Sequence, residues 1–147
     1  MIYISSPTPK PEPINRPETS VPDFTGITLV VAEDDLYCFH YVKQLFKRTG
    51  VEIIHAGDGN QLMEILDQRV PDLVLLDLQM PLMDGYECLQ EIRSQRIETK
   101  VIVQTASDAQ VDRERIMQAG ADGYIIKPFR KNELFLLIDA VLKRKQS

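Results

Sequence analysis

The sequence predicts an α/β domain, a five-stranded parallel sheet covered by helices on both faces. Two observations carry that expectation. Five short aliphatic runs recur between about Gly26 and Arg144, and longer stretches of helical periodicity separate them. Strand and helix in alternation make βαβ units, whose right-handed crossovers give a parallel sheet with helices on both sides. A third observation concerns chemistry: carboxylates, a threonine and a lysine fall where the strands end.

The elements follow in chain order. Met1 to about Thr25 carries prolines at 7, 9, 11, 13, 17 and 22. Proline fixes φ and removes a backbone donor, so residues 1–25 are expected to be a proline-rich linker or disordered extension rather than a folded unit or a docking peptide. The folded domain is expected over 26–147. Its strands are read at Thr28–Ala32, Val51–His55, Leu73–Asp77, Val101–Thr105 and Gly123–Ile126. Most of these runs are nearly continuous in apolar residues, as strands buried on both faces must be. Leu36, Phe39, Val42 and Phe46 keep helical spacing, as do Leu62, Ile65 and Leu66. Leu134, Leu137, Ile138, Val141 and Leu142 form the cleanest helical stripe, and Gln110–Gln118 the most polar one. Gly50, Pro71 and Gly120 punctuate the joints, Asp84 and Gly85 read as a cap and turn, and Gly57-Asp58-Gly59 reads as a turn.

Composition narrows the function classes. Of the 147 residues 44% are hydrophobic, enough for a core without staples, and the net charge is −5. Nucleic-acid binders usually carry a basic excess, so direct nucleic-acid binding is not expected. No apolar run reaches the length of a membrane span, so no membrane contact is expected either. Cys38 and Cys88 are too few for a disulfide framework and lack metal-ligand spacing, which suits a reducing, cytoplasmic setting. His40 and His55 are read as structural or exposed.

In an open α/β sheet, sites form at the carboxyl ends of the strands. Strand one ends in Glu33, Asp34 and Asp35, strand three in Asp77, strand four in Thr105 and strand five in Lys127. If strands one, three, four and five are neighbours, these side chains converge. Clustered carboxylates raise one another's pKa and become tolerable around a divalent cation. Hard oxygen ligands that fill only part of a shell suit Mg²⁺. A metal, a lysine and a hydroxyl around one carboxylate form a phosphoryl-transfer arrangement, and an aspartate can be its nucleophile. Asp35 is read as the opener of the first helix.

The segments VVAEDD, LVLLDLQMPLMDGYE, VIVQTAS and GADGYIIKPF resemble the signatures of response-regulator receiver domains of two-component signalling. Four separated segments agree in order and role, from about Gly26 to the end of the chain. The resemblance implies a flavodoxin-like, doubly wound (βα)5 fold with strand order 2-1-3-4-5. It implies Asp77 as phosphoacceptor, with Mg²⁺ held by Glu33 through water, by Asp34 and Asp77, and by the backbone carbonyl of Gln79. It places Thr105, Ala106 and Lys127 around the phosphoryl group, with Tyr124 as the switch aromatic. Gln79 and Ser107 would tune the phosphate lifetime, and a cis Lys127–Pro128 bond would aim the lysine. The phosphodonor would be a histidine kinase or phosphotransfer domain. Phosphorylation would switch the face built from Gln110–Gln118, the fifth strand and the last helix. The chain would assist its own phosphorylation and dephosphorylation without being an enzyme on an external substrate. The family also admits a receiver homodimer through the last helix. Two departures stand out: the acidic pair is Glu-Asp rather than Asp-Asp, and Arg130 stands where a short polar cap would be better placed.

Other classes fit less well. An aspartate-nucleophile phosphatase needs a second acid two residues after the nucleophile, where this chain has Gln79. A non-phosphorylated scaffold or flavin module does not need the complete acid, threonine and lysine set. With no output domain after the last helix, the chain is expected to be a stand-alone regulator or the receiver end of a hybrid histidine kinase, and the proline-rich lead favours the second.

Overall fold

The structure is a computed structural model and describes residues 21–143. Strands β1 (Thr28–Ala32), β2 (Glu52–Ala56), β3 (Leu73–Asp77), β4 (Lys100–Thr105) and β5 (Gly123–Ile126) alternate with helices. The helices are α1 (Leu36–Leu45), α2 (Gly59–Gln68), α3 (Gly85–Ser94), α4 (Gln110–Gln118) and α5 (Lys131–Leu142). The strands pair in parallel in the order β2-β1-β3-β4-β5, as expected. Two strand starts differ by a residue from the sequence reading. β2 begins at Glu52 because the Val51 amide turns to the Thr49 hydroxyl (3.3 Å). β4 takes in Lys100, whose register partner is Leu73.

Central position explains the burial. Every residue of β3 is buried, whereas β2, at an edge, shows one exposed and three half-buried residues. Alternate side chains feed two apolar layers. Leu29, Val31, Leu73, Leu75 and Ile102 face Phe39, Val42, Leu134 and Ile138 of α1 and α5. Val30, Val74, Leu76, Val101 and Val103 face Leu62, Leu89, Ile92 and Ile116 of α2, α3 and α4.

Local signals set the helix ends. The Asp35 carboxylate accepts from the Tyr37 and Cys38 amides and opens α1, as its position suggested. Asp58 caps α2 through the Gln61 amide, which makes Gly57-Asp58-Gly59 a turn into a helix. Asp84 and Glu87 form a reciprocal capping box on α3. Arg130 has no acceptor to offer α5; instead the Glu133 carboxylate accepts its backbone N–H at 2.8 Å, half of such a box.

The expected extension over residues 1–25 lies mostly outside the described residues. Of its described part, Phe24 is 1% exposed and packs its ring against Phe46 (6.0 Å) and Phe135 (5.4 Å). Its amide donates to Thr49 O at 2.7 Å. The packed unit therefore starts two residues ahead of Gly26. No helix among the described residues is long and apolar enough to cross a membrane.

Candidate functional site

The carboxyl edge of the sheet gathers the reactive side chains. Asp77 ends β3 and is only 4% exposed. Its Oδ1 accepts the Gln79 amide at 3.1 Å, and its Oδ2 lies 3.4 Å from Lys127 Nζ. Glu33 follows β1 and is 1% exposed; its Oε2 accepts the Asp35 amide, and its Oε1 lies 3.9 Å from Lys127 Nζ. That Oε1 is buried with no hydrogen-bond partner. Asp34 stands exposed beside them, and Glu33, Asp34 and Asp77 each bring one oxygen to a common spot, all within 4.8 Å of one another.

Each residue arrives there for a structural reason. β1, β3 and β4 are adjacent, so their ends sit side by side. Gly85 lets the start of α3 sit directly on β3, since a Cβ there would come within 2.8 Å of the Asp77 carbonyl and 2.6 Å of Leu78 Cα. Its amide donates to Leu78 O at 2.9 Å. Lys127 follows β5, where its amide donates to Thr105 O at 2.8 Å. The Lys127–Pro128 bond is cis, as expected. The Tyr41 hydroxyl, from α1, donates to Phe129 O at 2.6 Å and ties the β5–α5 loop to the first helix.

Electrostatics show an unbalanced site. Burial, then the neighbouring Asp77 carboxylate, push Glu33 up to about 7 from an ordinary 4.5. Burial alone would lower Lys127, but the Asp77 and Glu33 carboxylates outweigh it and raise the ammonium. Two carboxylates, Asp77 at 3.4 Å and Glu33 at 3.9 Å, share one lysine, and Asp34 adds a third acid beside them. The buried oxygen without a hydrogen-bond partner and the all-oxygen donor set fit a divalent cation that keeps part of its water shell.

The remaining expected residues surround this centre. Thr105 is buried at the end of β4, one strand over from Asp77, and its Oγ1 accepts the Ser107 amide at 3.1 Å. Ala106 is exposed just beyond it. The Ser107 hydroxyl donates to Asp112 at 2.6 Å and so belongs to the start of α4. Gln79 is exposed two residues past Asp77. Tyr124 is half-buried against the second apolar layer, with the Arg113 guanidinium 5.8 Å from its ring centre, so it stands under α4 rather than among the acids. Burial raises both thiols, Cys88 to about 12. Sequence reading missed two contacts at this edge, Tyr41 to the Phe129 carbonyl and His55 to the Glu33 carbonyl (2.8 Å), because neither residue lies in a segment that carries the motif.

A five-stranded parallel sheet that gathers acids, a threonine and a lysine at its carboxyl edge is the architecture of a signalling receiver. The chain belongs to the response regulator receiver domain family, whose pattern it matches over residues 29–139. Its fold is similar to a Francisella response-regulator receiver domain at 29% identity, covering 82% of this chain and all of that one, with a TM-score of 0.76. It is similar to the receiver domain of a sensor histidine kinase from Pseudomonas aeruginosa at 28% identity, covering 81% and 99%, with a TM-score of 0.74. In that structure a magnesium ion is coordinated in the active-site cleft. A DNA-binding response regulator of the LuxR family from Staphylococcus aureus is 31% identical, covering 79% and 98%, with a TM-score of 0.72.

Proposed function

We propose that Asp77 accepts a phosphoryl group from a phosphohistidine donor, a histidine kinase or phosphotransfer domain. The observation that supports this best is the buried Asp77 carboxylate, set 3.4 Å from Lys127 beside the Glu33 and Asp34 oxygens. Glu33, Asp34, Asp77 and the Gln79 backbone carbonyl would hold Mg²⁺. When bound, the ion neutralises charge on the acids and on the phosphoryl oxygens. An Asp77 oxygen forms the new P–O bond as the donor P–N bond breaks, and the electron pair leaves with the imidazole nitrogen. Lys127 offsets charge on the phosphoryl oxygens. Thr105 gives up its bond to the Ser107 amide to donate its hydroxyl to the phosphoryl group, with the backbone beside Ala106. Tyr124 then repacks under α4, and the face of α4, β5 and α5 changes its affinity for a partner. Gln79 and Ser107 flank the path by which water reaches the acyl phosphate and set its lifetime. The chain assists its own phosphorylation and dephosphorylation and turns over no external substrate. Residues 26–147 carry this activity, and 1–25 serve as the lead into it.

The test is the intact mass of the chain after incubation with Mg²⁺ and acetyl phosphate. One added phosphoryl group is expected in the native chain, and none in Asp77→Asn or in EDTA. Phosphate uptake by folded Asp77→Asn overturns the assignment.

A further inference from the structure

We infer that His55 is a positioning residue of the acidic site, holding the Glu33 carbonyl and thereby the direction in which Glu33 and Asp34 present their carboxylates. The proposal rests on the reading of that site as a Mg²⁺-dependent phosphoacceptor.

The ladder between β1 and β2 ends at the pair Ala32 and Ala56. One further backbone bond follows, from the Glu33 amide to Ala56 O at 3.0 Å. There β2 ends, and Asp58, whose amide would be the next rung of the parallel ladder, is already the N-cap of α2. The Glu33 carbonyl has thus lost the strand that would have continued the ladder. His55 supplies the missing rung from a side chain, with its Nε2 at 2.8 Å from that oxygen. A carbonyl only accepts, so Nε2 carries the proton. The ring is itself fixed, stacked on buried Phe39 with centroids 3.9 Å apart and planes 18° apart.

The consequence reaches both acids through one peptide plane. The Glu33 carbonyl and the Asp34 amide are coplanar atoms of the same unit. Holding its oxygen fixes ψ of Glu33 and φ of Asp34 together. Those two residues supply two of the three converging carboxylate oxygens, the third being that of Asp77. The Glu33 side chain is held as well, through the Asp35 amide at 3.2 Å. Partners one step behind the ligands commonly change metal affinity by about 10- to 100-fold when removed.

The experiment is calorimetric titration of the metal-free full chain with Mg²⁺, for the native protein, His55→Leu and His55→Gln. Leucine fills the space against Phe39 and cannot donate; glutamine offers a donor at similar reach. We expect His55→Leu to weaken Mg²⁺ binding by about tenfold and His55→Gln to stay within about threefold of native. In the metal-free state, the Asp34 amide resonance should broaden in the leucine variant and not in the glutamine variant. Unchanged affinity in folded His55→Leu, or equal losses in both variants, overturns the proposal and leaves His55 a packing residue. If the variants do not fold, the native protein still decides: ¹⁵N correlation spectra of His55 must show the proton on Nε2, and a proton on Nδ1 alone overturns the hydrogen bond. A native chain that binds no Mg²⁺ removes the metal reading itself, and this proposal with it.

Discussion

The two edges of the sheet handle charge in opposite ways. At the amino edge, ions are matched. The Arg93 guanidinium donates to Gly120 O (2.9 Å), Thr99 O (3.1 Å) and the Asp122 carboxylate (2.8 Å). Asp122 also accepts the Val101 amide, Asp72 accepts the Thr28 amide, and Arg69 meets Glu52 through two nitrogens. At the carboxyl edge, the Glu33 and Asp77 carboxylates share one lysine with Asp34 beside them, and Glu33 Oε1 is buried with no hydrogen-bond partner. Both edges cluster charged residues, so clustering alone does not mark a functional site. What separates them is satisfaction: a buried polar atom left unpaired is costly, and it persists where something outside the chain completes it.

The largest expected effects set the two edges apart. Lys127→Ala should cut the rate of phosphoryl uptake from acetyl phosphate by about 100-fold, the usual cost of losing a charge-stabilising donor, and leave the melting temperature near native. Time-resolved intact mass reads the rate; a loss under about threefold would show that Lys127 is only a counter-ion of the resting site. Phe24→Ala, which opens the aromatic cluster at the amino edge, should do the reverse. It should cost about 3 kcal/mol in urea unfolding without changing the uptake rate of the folded fraction. An unchanged urea midpoint would mean that the fold does not need its lead-in residue.

The difference between the edges also explains what the sequence made legible. Strand ends are readable because a run such as LVLLD stops at a charged residue, and the topology brings ends together. Asp77, Glu33, Asp34 and Lys127 follow from that logic, and so does the strand order once the resemblance is recognised. Arg93 was not legible: it sits in the last turn of an amphipathic helix, where a basic residue is ordinary, and its three partners lie 6 to 29 residues away. His55 reads as one more residue of a short strand, and its role depends on where the β2 chain turns. Phe24 lies two residues after Pro22 in what looks like connector, and only the packing of α1 against α5 makes a place for it. Periodicity reports which face a side chain takes, not which atom it meets across the sheet.

The raised Glu33 carboxyl gives a pH signature confined to the carboxyl edge. In the folded metal-free chain it titrates near 7, and near 4.5 when unfolded. Between those values the folded state holds a proton that the unfolded state has lost, so stability falls as pH rises through this window and levels off above it. The span corresponds to at most on the order of 3 kcal/mol. Urea midpoints in EDTA should therefore decline from about pH 5 to about pH 7.5 more steeply in the native chain than in Glu33→Gln, which has no proton to lose. Saturating Mg²⁺ should flatten or reverse the decline, because the ligating form is the ionised one. Identical slopes for the two proteins would mean that the Glu33 carboxylate is solvated and the charge imbalance is not real.

The smallest effect tests the amino edge by its own logic. Arg93→Ala removes three hydrogen bonds at once, but the Arg93 and Asp122 side chains are 32% and 28% exposed, so water takes up part of the loss. Asp122 also keeps the Val101 amide. The expected cost is about 2 kcal/mol in urea unfolding, below what three fully buried bonds would imply. Phosphoryl uptake by the folded protein should stay within about twofold of native, since no atom of this network reaches Asp77 and distant, unlinked sites act independently. A tenfold drop in uptake at native-like stability would mean that the β4 and β5 register, anchored by Arg93 through Gly120, Thr99 and Asp122, governs where Thr105 and Lys127 stand. The matched edge would then be part of the switch rather than its foundation.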